Sequence, residues 1–329
     1  MIATGIRWVG FLALATLVGG LVVELVVLPH ATPVVDGARR RLRRLAMLCL
    51  VVLLATTAAD LVTRAQTMAG GALPAAIAAL PAVLTRTHFG VIWIARFALL
   101  ALAFLLAAGS SRALRVASLG LALAIALTTT LTGHAADWGD LTLSAGIDWV
   151  HVVATTAWAG GLIALALAVL REARQWPLGV LGGCMRRFSR LAGFCVAAVL
   201  ATGLYNAWVQ LPGPSALVTT MYGRALAVKL LLVLGLLWWG AVNRYTVVPC
   251  TGHGPSSRPG RARLSPRAMA VPRITRAGVA PRRHDSAPSW HARPLLAVAV
   301  FACTAILVDS TPPRHVQHGE HRADSSGSH

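Results

Sequence analysis

Five side chains in this 329-residue sequence have the type and spacing to hold a metal ion: His88, His134, Asp148, His151 and Met221. Asp148 and His151 stand three apart, so on a helix they share a face, which Thr155 and Trp158 continue. A carboxylate one turn before an imidazole can orient it, fix its tautomer and raise its basicity. His134 ends the preceding apolar run, and the short acidic loop after it returns the chain beside His151. His88 opens another apolar run, and Met221 borders a further loop. Imidazole nitrogen with thioether sulfur is a donor set for copper, as Cu(I) or Cu(II), whereas zinc favours a closed tetrahedral set with cysteine or carboxylate. Two histidines on facing helices can also ligate haem iron. His134 and His151 stand near helix ends rather than deep in a bundle, which favours the single ion.

The elements that position these residues are membrane helices. The chain is 56% hydrophobic and 12% charged, with a mean hydropathy of +0.67. Several windows run for about 20 residues almost without charge, the length that crosses the ~30 Å hydrocarbon core. Spans are expected at about 5–28, 42–66, 88–108, 113–133, 146–170, 188–210 and 222–245, with a short eighth at 292–309. The formal charge of +19 does not point to nucleic acid, because the basic residues cluster between apolar runs. "DGARRRLRRL" (36–45), "SSRALR" (110–115), the arginines of 171–190 and those from Arg258 to Arg293 fall in alternate loops. On the positive-inside rule all four face the cytoplasm, both termini lie outside, and the histidines gather at the outer surface.

Other classes are excluded on similar grounds. Three of the five cysteines (Cys49, Cys195, Cys303) lie in apolar runs and no CxxC occurs, so no disulfide framework is expected. No GxxxxGK[ST] loop is present, and the chain is expected not to be an enzyme. The first apolar run lacks an AxA cleavage site and reads as a structural helix rather than a leader. Asp60 stands toward the outer end of the second span, and Glu24, near the inner end of the first, is expected to snorkel.

The sequence aligns with itself. "IRWVGFLALATLVGGL" (6–21) pairs with "IDWVHVVATTAWAGGL" (147–162), and "RLAMLCLVVLLAT" (44–56) with "RLAGFCVAAVLAT" (190–202). "THFGVIWIARFALLAL" (87–102) pairs with "TMYGRALAVKLLLVLG" (220–235). Spans one to three thus recur as five to seven, in the same orientation. The fold expected is all-α: a polytopic bundle of about eight transmembrane helices built as a parallel 4+4 repeat, with sites between the halves. Residues 1–133 form the first four-helix unit and 134–248 the first three helices of the second. A disordered basic cytoplasmic linker (249–291) and the last span (292–309) follow, then a His-rich extracytoplasmic tail at 310–329. Shared Gly-Gly pairs serve packing. Where the copies differ, Gly10 becomes His151, Arg7 becomes Asp148, and His88 becomes Met221.

At these residues the chain resembles the CopD family of bacterial copper-resistance membrane proteins. The resemblance rests on "GHA" (133–135), "DWVHVVATTAWAGGL" (148–162), "RFSRLA" (187–192), "TGLYNAW" (202–208), "TMYGRALAVKLLLV" (220–233) and "STPPRH" (310–315). It implies an eight-span protein of the bacterial inner membrane that moves copper toward the cytoplasm, beside a soluble periplasmic copper carrier. The chain departs from the family pattern before the last span, where a long Arg/Pro stretch replaces a short basic loop. Alternative readings are a haem-binding electron carrier and a copper-delivery factor that does not transport.

Overall fold

The computed structural model describes residues 2–238 apart from 31, 108, 110, 133–141, 174, 212, 214, 221, 222, 225, 229, 236 and 237. His134, Met221, the linker, the eighth span and the His-rich tail therefore lie outside the described residues. Among those described, the chain is helical and has no strand. Six helices are long and apolar enough to cross a membrane: Ile2–Val27, Pro33–Met68, His88–Ala107, Arg112–Thr130, Leu143–Ala173 and Leu178–Val209. The shortest, of 19 residues, is about 28 Å long at 1.5 Å per residue, close to the ~30 Å core of a bilayer. The chain is a multi-pass membrane helix bundle, and these six correspond to the first six expected spans.

The elements are α1 (Ile2–Val22), α2 (Asp36–Met68), α3 (Leu73–Arg86), α4 (His88–Ala107), α5 (Arg112–Leu131) and α6 (Leu143–Thr155). Then come α7 (Gly161–Ala164), α8 (Leu170–Ala173) and α9 (Leu178–Gln210). Wide π turns at Thr156–Gly160 and Leu165–Val169 join α6, α7 and α8 into one rod. Every residue of the first π turn is buried, Trp158 among them.

The basic stretch at 36–45, expected as a loop, forms the opening turns of α2. Charge pattern assigns a side of the membrane, not a conformation, and arginine is a good helix former. At 33 residues, α2 spans about 50 Å, so one end must overrun the hydrocarbon. Its arginines also hold neighbours together. Arg39 pairs with Asp36 at 2.9 Å, Arg41 with Glu172 at 3.0 Å, and Arg43 with Glu24 at 3.4 Å. Glu24 is therefore buried against a cation of α2 rather than snorkelling. The expected outer loop after span two contains α3, with one proline in its first turn, where the missing N–H costs nothing, and Pro81 inside it.

The centre of the molecule is the crossing of α1 with the rod that starts at α6. A Cβ on Gly19 would fall on the backbone of Gly160 and Gly161, and one on Gly160 would fall on the carbonyl of Ala15. The two Gly-Gly pairs that the sequence aligns thus touch each other, each providing the room the other's backbone fills. Leu14, Leu17, Ile125 and Trp158 pack in the same cluster, with Cys49 and Cys195 among its members as small buried residues.

Candidate metal-binding site

The end of the bundle away from the arginines of 39–44 holds the starts of α1, α4 and α6 and the ends of α2, α5 and α9. There Thr142 caps α6, its hydroxyl accepting the Ala145 N–H at 3.2 Å. Six and nine residues on, Asp148 and His151 face α9. Asn206 Nδ2 donates to Asp148 Oδ1 at 3.1 Å. His151 Nδ1 lies 2.9 Å from Thr202 Oγ1. Trp149 Nε1 donates to Leu123 O at 3.1 Å, which ties the same turn to α5.

The hydrogen bonds of the threonine assign the proton to one ring nitrogen. Thr202 Oγ1 gives its single hydrogen to Ala198 O at 2.6 Å. Toward the imidazole it can then only accept, so the neutral ring is protonated at Nδ1 and its lone pair sits on Nε2. That is the atom a neutral histidine uses to bind a metal, with the other nitrogen's hydrogen bond fixing the tautomer. Gly203 makes space for the ring: a Cβ there would lie 3.3 Å from His151 Cε1.

The first half places other chemistry at the aligned positions. Arg7 Nε donates to Asp60 Oδ1 at 3.1 Å, where the second half has Asp148 and Asn206. Thr56 Oγ1 donates to Val52 O at 2.8 Å as Thr202 does to Ala198, but its partner across the interface is Gly10, not a histidine. A further match precedes His88 and Met221. Thr87 Oγ1 accepts the Gly90 N–H and Thr220 Oγ1 the Gly223 N–H, both at 2.9 Å. In both copies a Cβ on that glycine would strike the preceding short helix, at Val83 and Leu84 or at Ala216 and Leu217.

Of the five sequence-predicted site residues, Asp148 and His151 are brought together on one face of α6, half-buried against α9. His88 is exposed at the first residue of α4, which packs on α2, α3 and α5 in the first half. His134 and Met221 lie outside the described residues. Among the described residues no three of His, Cys, Asp and Glu gather closely enough to hold a metal on their own. Sequence reasoning missed Thr202 and Asn206. Their signal was present in the duplication, since they stand where Thr56 and Asp60 stand in the first copy.

Residues 1–142 match the model for the copper resistance protein D-like N-terminal domain, and residues 182–307 match that for copper resistance protein D. The chain belongs to the copper resistance protein D family. It is 33% identical over 167 residues to the copper transport protein CutJ of Bacillus subtilis, an alignment covering 49% of this chain and 31% of CutJ. It is 29% identical over 172 residues to the inner membrane protein YebZ of Escherichia coli, covering 50% of this chain and 57% of YebZ. The chain thus matches less than two thirds of the length of either relative. No solved structure matches it.

Proposed function

We propose that this protein carries copper across the bacterial inner membrane, taking it up at the His151 end and releasing it at the arginine-rich end, toward the cytoplasm. The observation that carries the reading is the 2.9 Å approach of Thr202 Oγ1 to His151 Nδ1: a threonine whose hydrogen goes to Ala198 O accepts from Nδ1, which assigns the lone pair to Nε2. Beside it, Asp148 is steadied by Asn206. Its carboxylate offers an oxygen ligand or a charge that offsets the cation. His134, after α5, completes the first ligand set. His88 and Met221, at aligned positions of the two copies, supply a second imidazole and a thioether for Cu(I), and the tail at 310–329 collects the ion. A soluble periplasmic copper carrier is the partner that the family resemblance implies.

In this reading the two halves are duplicated units, and the recurring Thr–Gly hydrogen bonds, the aligned polar pairs Arg7–Asp60 and Asp148–Asn206, and the meeting of the aligned Gly-Gly pairs support it. The Gly19–Gly160 crossing is then a pivot. Two rods whose backbones touch at one place can rock about it, opening one end as the other closes. Replacing His134 and His151 with Ala tests the assignment. Cells carrying the variant should accumulate less copper than cells carrying the unaltered protein. Equal accumulation and equal copper tolerance would remove these residues from the site. A Soret band in the purified protein would instead mark a haem carrier.

A further inference from the structure

The arginine-rich end of the bundle holds cations of two kinds. Some turn inward and are met within the fold. Arg39 pairs with Asp36, Arg41 with Glu172 and Arg43 with Glu24, and Arg187 Nη1 donates to Val27 O at 3.4 Å. Others face outward: Arg40 and Arg44 of α2, and Arg186 and Arg190 of α9, are exposed. Among the described residues none of these four has an ion-pair or hydrogen-bond partner.

The four stand at aligned positions of the two copies. The match of 44–56 with 190–202 pairs Arg44 with Arg190, and one turn earlier it pairs Arg40 with Arg186. In each copy the two are four residues apart, so they share a helix face and sit about 6 Å apart along the axis. One turn further the same face carries an exposed apolar side chain, Leu48 in α2 and Phe194 in α9. Neighbouring cations differ between the copies: Arg39 aligns with Met185 and Arg43 with Ser189. Like charges at this spacing repel. An orientation signal needs arginines near the helix end, not two on one face in each copy.

We propose that each pair grips the phosphate of an anionic glycerophospholipid, one lipid per half, whose acyl chains lie along Leu48 or Phe194. Two guanidinium groups followed by an apolar side chain repeat the order of the lipid itself, headgroup and then hydrocarbon. An arginine stem lies along apolar surface while its head reaches the headgroup layer. The planar fork matches two phosphate oxygens at once. A zwitterionic headgroup brings its own ammonium against the second guanidinium, whereas phosphatidylglycerol brings none. The inference needs this end of the bundle to lie at a membrane interface and does not rest on copper.

The test uses the purified full chain, free of copper, in an uncharged detergent at constant ionic strength. Native mass spectrometry counts the lipids held. The thermal unfolding midpoint is followed during titration with phosphatidylglycerol, phosphatidylcholine or inorganic phosphate. Two phosphatidylglycerols per chain, and a saturable rise with that lipid alone, are the expected result. The Arg40→Gln, Arg44→Gln double variant and the Arg186→Gln, Arg190→Gln double variant should each hold one fewer. Their combination should raise the half-saturating concentration by about thirtyfold, from about fivefold for each arginine of a pair. The matching lysine variants keep the charge and lose the fork, so they should hold the lipid more weakly than arginine and more tightly than glutamine. They serve where a glutamine variant does not fold. An equal response to phosphatidylcholine, the same rise with inorganic phosphate, or a lipid count and half-saturation unchanged in the glutamine variants overturns the proposal. The basic stretch 249–291 is identical in every variant, so lipid held by it alone gives that last outcome. None of these results touches the copper reading, which rests on the opposite end of the bundle.

Discussion

Replacing Thr202 with valine removes one oxygen and keeps the shape of the side chain. His151 Nδ1 then loses the acceptor that lies 2.9 Å away. The ring is half-buried, so an unmet N–H there costs about 1–3 kcal/mol. The ring escapes that cost by rotating or by moving its proton to Nε2, and either change takes the lone pair away from the metal position. Second partners of metal-bound histidines typically account for about 10–100-fold in affinity, which is the loss expected for Thr202→Val. Thr202→Ser keeps the oxygen and should bind copper within a factor of about three of the unaltered chain, well inside one such hydrogen bond. The assay is copper competition against a chelator of known affinity, on purified protein, with nitrogen-15 shifts of the histidine reporting the tautomer. Equal copper affinity in the valine and serine variants would refute the reasoning that Thr202 sets the ligand atom.

Two further outcomes follow from the packing and the charges. Gly160→Ala drives a methyl group into the carbonyl of Ala15, so it should destabilise the bundle by about 1–3 kcal/mol. Gly5→Ala, with nothing within 4 Å, should not; thermal unfolding in detergent compares the two. His30, in the turn between α1 and α2, should titrate below the ordinary histidine value of 6.5, through loss of hydration and then the positive fields of Arg112, Arg39 and Arg187. Its lowered value means the unfolded chain takes the proton more readily. Acidification through the histidine range therefore weakens the fold here, and added salt should move the NMR midpoint back up.

The spans were legible because apolar length is a direct requirement of the bilayer, and all six described spans fall where hydropathy places them. The aligned Gly-Gly pairs were legible as packing residues, whereas their meeting at Gly19 and Gly160 appears only in the fold. Other features were hidden for identifiable reasons. The stretch 73–86 falls between two expected spans because at 14 residues it is too short to cross a bilayer, yet it forms α3, with one proline in its first turn and Pro81 inside it. Glu24 sits near a helix end, which reads as snorkelling, until α2 brings Arg43 alongside. The partners of His151 and Asp148 are 51 and 58 residues away. No local pattern marks such contacts, and only the comparison of one half with the other points to Thr202 and Asn206. The Arg7–Asp60 pair was hidden in the same way, because its partners come from two different helices.

The central claim is that copper crosses this protein from a site built on His151. Purified chain reconstituted into copper-free vesicles, loaded with a copper-sensitive dye, tests it directly. The unaltered protein should admit copper with saturable kinetics, and the His134→Ala, His151→Ala double variant should admit it at the rate of empty vesicles. Saturable entry at the same rate through both proteins would contradict the account.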